Sequence, residues 1–134
     1  MNVEDLVQVH PAAPAQNLDV ISACVKACYA CSESCTLCAD ACLGETQLEM
    51  LRRCARLTLD CAAICAVTGQ VVARQTETVA EVLRKQLESC ITACRVCREE
   101  CQRHANEHGH CRLCAQSCQF CEKACIDLLG VLQR

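Results

Sequence analysis

Eighteen of the 134 residues are cysteine, and fifteen of these fall into three runs whose spacing alternates between four and three residues. The runs are Cys24, Cys28, Cys31, Cys35, Cys38 and Cys42; then Cys90, Cys94, Cys97 and Cys101; then Cys111, Cys114, Cys118, Cys121 and Cys125. Cys54, Cys61 and Cys65 obey the same rule more sparsely. A four-three repeat lies along one face of an α-helix, so each run aligns its thiols in a stripe. Stripes at these positions face partner helices, which puts sulfur where a helical bundle ordinarily holds leucine.

Thiols in such numbers could bind soft metals, exchange disulfides or merely fill space, and the spacing separates these chemistries. From Cys24 to Cys42 the stripe rises about 27 Å, most of the length of a bundle. Structural zinc takes closed sets of four ligands, usually paired Cys-x-x-Cys units in turns. Iron–sulfur ligation uses compact loops with a distant cysteine before proline, and no cysteine here precedes proline. Cu(I) fits better, because it accepts two or three thiolates and each thiolate can bridge two ions, giving a capacity of about one ion per cysteine. Monovalent ions matched to thiolates also leave the buried column nearly neutral, whereas divalent ions would overcharge it. Without metal, neutral thiols behave as small hydrophobes, so the bundle can fold first and release protons as it loads.

Three other readings use the same residues. A thiol oxidoreductase needs an exposed, acidic cysteine at a helix N-terminus, and Cys111 is the candidate of that kind. A zinc or other soft-metal buffer is the second, and a purely structural bundle or a copper-sensing regulator the third. The regulator lacks a basic DNA-reading element.

The stripes need helices of defined length. Residues 1–16, with Pro11 and Pro14 among alanines, read as a weakly ordered tail, and residues 17–134 as one storage domain. Asn17 is placed as N-cap of a helix to Leu43, with Gly44 in the left-handed position beyond it. Capping boxes at Thr46–Glu49 and Thr78–Glu81 open the second and third helices, the second reaching Ala73 across Gly69, the third reaching Glu107. Gly109 ends the third helix, and a fourth covers about 111–132. Short connections make neighbours antiparallel, so the expected fold is all-α, an up-down-up-down four-helix bundle with a cysteine-lined core.

Extending each heptad frame beyond the cysteines makes the two ends differ. Leu18, Ile21, Val72, Leu83, Leu87, Leu128 and Leu132 meet at one pole, and Cys42, Cys111, His104, His108 and His110 at the other. The histidines are therefore candidate ligands at an open end, Met50 is a weaker one, and His10 in the tail is read as inert. Tyr29 and Phe120, the single Tyr and Phe, are expected to pack. The net charge of −3 and the near absence of aromatic residues supply neither a basic stripe nor a stacking platform for nucleic acid. No stretch is read as a membrane span. The first residues carry no signal-peptide pattern, which places the chain in the cytoplasm. Ala62, Ala63, Ile64 and Val67 broaden the apolar surface of the second helix, as in a homo-oligomer.

The Cys-x-x-x-Cys-x-x-Cys repeats, the sparse second helix and the histidines at the open end resemble the bacterial copper storage proteins, specifically their cytosolic branch. The resemblance spans about residues 17–132. It implies a homotetramer of four-helix bundles holding many Cu(I) ions, loaded at an open end formed here by Cys42, His104, His108, His110 and Cys111. It also implies exchange with a copper donor or acceptor protein. Thr58 and Thr68, at inward positions of the second helix, depart from a full stripe.

Overall fold

The computed structural model describes residues 2–13 and 16–133, and among these it forms five helices and no strand. They are α1 (Val3–Gln8), α2 (Leu18–Leu43), α3 (Leu48–Ala73), α4 (Ala80–Arg103) and α5 (Gly109–Leu132). Helices of this length are too costly to nucleate on local propensity alone, and burial of the thiol and alanine stripes supplies the rest. Connections of only a few residues turn each of α3, α4 and α5 back on its predecessor. Helix α2 packs on α3 and α5, and α4 on α3 and α5, closing the antiparallel four-helix ring expected from the stripes.

The helix ends differ from the sequence expectations in detail. Asn17 does precede α2, but with φ 64° and no capping bond from its side chain. Gly44 is right-handed at φ −85°, and its N–H donates to the Asp40 and Ala41 carbonyls. Neither capping box forms: α3 starts after Gln47 and α4 after Val79, each one residue later than the box requires, and Glu49 pairs instead with Arg52 at 2.7 Å. Packing of the buried stripe, not the local cap, sets these starts. Helix α4 stops at Arg103 rather than Glu107, and Gly109 opens α5 instead of ending its predecessor. His104 is thus a C-cap and His108 an N-cap, outside the continuous helical frame assumed for them.

All eighteen cysteines are free thiols with no more than 1% of their surface exposed. Val72, Leu87 and Leu128 close one end of the column. Leu51 breaks the expected polarity, being fully buried in the first turn of α3, beside the end that holds Cys42. Gly69 has a packing reason: a Cβ there would stand 3.3 Å from Cys28 Cβ and from the Tyr29 ring, so glycine lets α2 and α3 close together. Phe120, expected to pack, is 70% exposed, because it lies off the inward stripe of α5.

Helix α1 lies within the segment read as a tail. Asn2 accepts from the Glu4 N–H at 3.0 Å, Val7 is buried and Lys26 reaches Glu4 at 2.7 Å, so a short helix docks on α2. Pro14 lies outside the described residues. Contrary to the expectation that no stretch qualifies, α3 is long and apolar enough by composition to cross a membrane, with a window of mean hydropathy 1.3. In the bundle 44% of that window is buried among the other helices, as befits a core helix.

Candidate metal column

The thiols of the four long helices converge on one axis. Between α2 and α5, Sγ atoms pair as Cys24–Cys125 at 3.8 Å, Cys28–Cys121 at 3.8 Å, Cys31–Cys118 at 3.8 Å and Cys35–Cys114 at 3.7 Å. Between α3 and α4, Cys65 lies 3.6 Å from Cys94 and 3.8 Å from Cys90, and Cys54 lies 3.6 Å from Cys101. Cys65–Cys121 and Cys54–Cys111, both at 4.0 Å, join the two halves. These contacts run from the plugged end to the histidine end.

The sulfurs do not divide into separate fours. Cys28, Cys90, Cys121 and Cys125 form one compact group, Cys121 belongs also to a group with Cys31, Cys65 and Cys94, and Cys31 to a third with Cys35, Cys61 and Cys118. Cys35 and Cys118 recur in a fourth with Cys97 and Cys114. Shared corners of this kind suit ions bridged in series. With metal–thiolate bonds of about 2.3 Å, as at zinc, two sulfurs on one trigonal ion stand about 4.0 Å apart. The observed spacings reach that value with little movement, and they are well beyond the roughly 2.05 Å of a disulfide.

Protons sit unevenly along the column, because a shared S–H can stabilise a thiolate on only one of two neighbours. Hydrogen bonds from Cys101, then Cys38, hold Cys54 down to about 3, and bonds from Cys125 and Cys28 hold Cys24 down to about 5. Their partners Cys101 and Cys125 are correspondingly raised. At the histidine end burial dominates: it pushes the Cys42 thiol up to about 11, with the charge of Cys54 adding to it, and it raises Cys111 in the same way.

Of the three histidines, His110 comes nearest the sulfurs, its Nδ1 lying 3.4 Å from Cys38 Sγ and 3.6 Å from Cys111 Sγ. His108 is ring-neighbour to His110, with centroids 5.5 Å apart. His104 turns its Nε2 to Glu100 at 2.9 Å, and Glu100, only 7% exposed, also meets Arg53 at 3.3 Å. Cys38, Cys42, Cys54 and Cys111 form the sulfur group beneath this end.

Two carboxylates escaped the sequence reading. Glu45, in the α2–α3 turn, stands 3.2 Å from His110 Nε2 and 3.4 Å from His108 Nδ1, and Glu100 holds His104. Glu100 lies off the cysteine frame, and Glu45, though one three-residue step past Cys42, lies beyond the end of α2, where helical period no longer says which way a side chain faces. Met50 is 62% exposed. His10 accepts the Ala12 N–H on its Nδ1 at 2.9 Å. Thr58 and Thr68 are fully buried on α3, as the inward frame requires, and turn their hydroxyls back to helix carbonyls, Thr58 to Cys54 and Thr68 to Ile64.

Known proteins share this arrangement. Residues 17–130 match the sequence model of the copper storage protein family. A solved structure of a copper storage protein from Streptomyces lividans, loaded with 10 copper equivalents, is 42% identical, covers 96% of this chain and 98% of its own, and superposes with a TM-score of 0.92. The Cu(I)-bound copper storage protein BsCsp3 is 32% identical over 81% of this chain and 96% of its own, with a TM-score of 0.71. An uncharacterised cysteine-rich protein of Bacillus subtilis, YhjQ, is 36% identical over 103 residues, 77% of this chain and 90% of its own. With its family match spanning nearly the whole bundle, and a thiol column built for soft ions in series, this chain belongs to the copper storage protein family.

Proposed function

We propose that this protein stores many Cu(I) ions, about one per cysteine, in the thiolate column of its four-helix bundle. The observation that carries the reading is the column of buried thiols from four helices, with neighbouring sulfurs 3.6 to 4.0 Å apart in pairs and compact groups of four that share corners. The role is storage rather than catalysis. The ligands are the eighteen cysteines, with His110, which touches two of the sulfurs, and beside it His108 and His104 serving the open end. The S. lividans relative is described as cytosolic, and this chain is assigned the same compartment. Exposed Leu59 and Val67 on α3 support burial of that face in a homotetramer, and the open end suits exchange with a copper donor or acceptor protein.

The oxidoreductase reading loses its candidate. Cys111 does stand in the first turn of α5, but it is fully buried and its thiol is raised, the reverse of an activated nucleophile. Anaerobic titration with Cu(I) tests the storage reading: ultraviolet thiolate-to-copper absorbance should grow linearly to about one equivalent per cysteine. A plateau at four equivalents or fewer would overturn it.

A further inference from the structure

We infer that Glu45 is a positioning residue that sets the tautomer of His110 at the open end, so that His110 offers its Nδ1 to incoming copper. This rests on the storage reading. Its substance is a chain of contacts across the mouth of the bundle.

Glu45 follows Cys42 in the tight α2–α3 turn, where its own N–H donates to the Cys42 carbonyl at 3.2 Å. That turn fixes the carboxylate opposite the α4–α5 connection. One oxygen, Oε1, lies 3.2 Å from His110 Nε2, and the other, Oε2, lies 3.4 Å from His108 Nδ1. An ionised carboxylate can only accept, so His110 Nε2, which is hydrogen-bonded to it, must carry the hydrogen and donate it, whereas His108 stands only at ion-pair distance. A neutral imidazole has one N–H, which leaves the His110 lone pair on its far nitrogen.

For His110 that far nitrogen is Nδ1, the atom beside Cys38 and Cys111. Its lone pair therefore faces the space between two thiols, where a bridging ion would complete a three-coordinate S₂N set. The carboxylate thus selects the ligating atom of His110, the carboxylate–histidine logic known at metal sites. His104, held separately by Glu100, is outside this device.

The test begins without copper. Long-range ¹H–¹⁵N spectra of the reduced apo protein at about pH 8, where an ordinary imidazole is neutral, should show His110 protonated on Nε2. Glu45→Ala should mix both tautomers in that ring. Stopped-flow Cu(I) loading should slow about ten-fold in Glu45→Ala, and the Glu45→Ala/His110→Ala double variant should be no slower than His110→Ala alone. A His110 proton on Nδ1 in the unaltered protein, or slowing that multiplies in the double variant, would overturn the inference. A low copper capacity with the expected spectra would instead count against storage and leave the tautomer assignment standing.

Discussion

Cys65 Sγ on α3 lies 3.6 Å from Cys94 Sγ on α4, and the same sulfur lies within 4.0 Å of Cys61, Cys90 and Cys121. It is a hub joining α3, α4 and α5. A thiolate that bridges two ions takes both with it when removed, so Cys65→Ala should cost about two equivalents of Cu(I). Removal of Cys24, at the end of the ladder and 3.8 Å from Cys125, should cost about one. Titrations of the two variants side by side measure the difference, and equal losses would contradict the shared-corner arrangement.

The histidines of the open end should not act alike. His110 Nδ1 touches two thiols, whereas His104 Nε2 is engaged by buried Glu100. His110→Ala should therefore slow Cu(I) loading more than His104→Ala, by about ten-fold against about two-fold, with total capacity lowered by no more than about one ion in either. Stopped-flow absorbance after mixing with a Cu(I) donor complex reports the rates.

The column, the four long helices and the plugged end were all legible in the cysteine spacing, because a buried stripe fixes both helix period and facing direction. What the spacing could not carry is what happens where helices stop. The frame of the third bundle helix was extended through His104 and His108, but α4 ends at Arg103 and the chain turns beneath those side chains. Glu45 and Glu100 act across turns or beside the stripe, and Leu51 interrupts the polar end, since each depends on tertiary contact rather than period. The capping boxes at Thr46 and Thr78 were real local signals overridden by packing.

Thr58 offers a gain-of-capacity test. Its side chain is fully buried at an inward position of α3, and its hydroxyl is spent on the Cys54 and Ala55 carbonyls at 2.9 and 3.0 Å. At this level α3 contributes no sulfur between Cys54 and Cys61. Cysteine is close in volume to threonine, so Thr58→Cys should fold normally and bind about one additional Cu(I). Unchanged capacity in a correctly folded variant would mean that this stretch of the column is already saturated by three helices.

The apo protein should lose stability in alkali, and copper should remove the effect. Burial first, and the Cys54 charge second, raise Cys42 from 9.0 to about 11, and Cys111 moves the same way. Above pH 9 the unfolded chain gives up these protons while the folded chain keeps them, so the folded state binds more protons and stability falls as pH rises. The loss amounts to about 1.4 kcal/mol per pH unit for each such thiol, accumulating from pH 9 to about 11 for Cys42. Cys54 and Cys24 have lowered values and act in the opposite sense below about pH 9, where the unfolded chain holds their protons; above about pH 10 they are ionised in both states and add no slope. In the loaded protein the same sulfurs hold metal in place of protons, and unfolding must break those bonds. Thermal melts under anaerobic conditions at about pH 9.5, 10.2 and 11 should show a falling midpoint for apo protein and a nearly flat one after loading. A flat apo profile would mean that Cys42 and Cys111 ionise as freely in the bundle as in water.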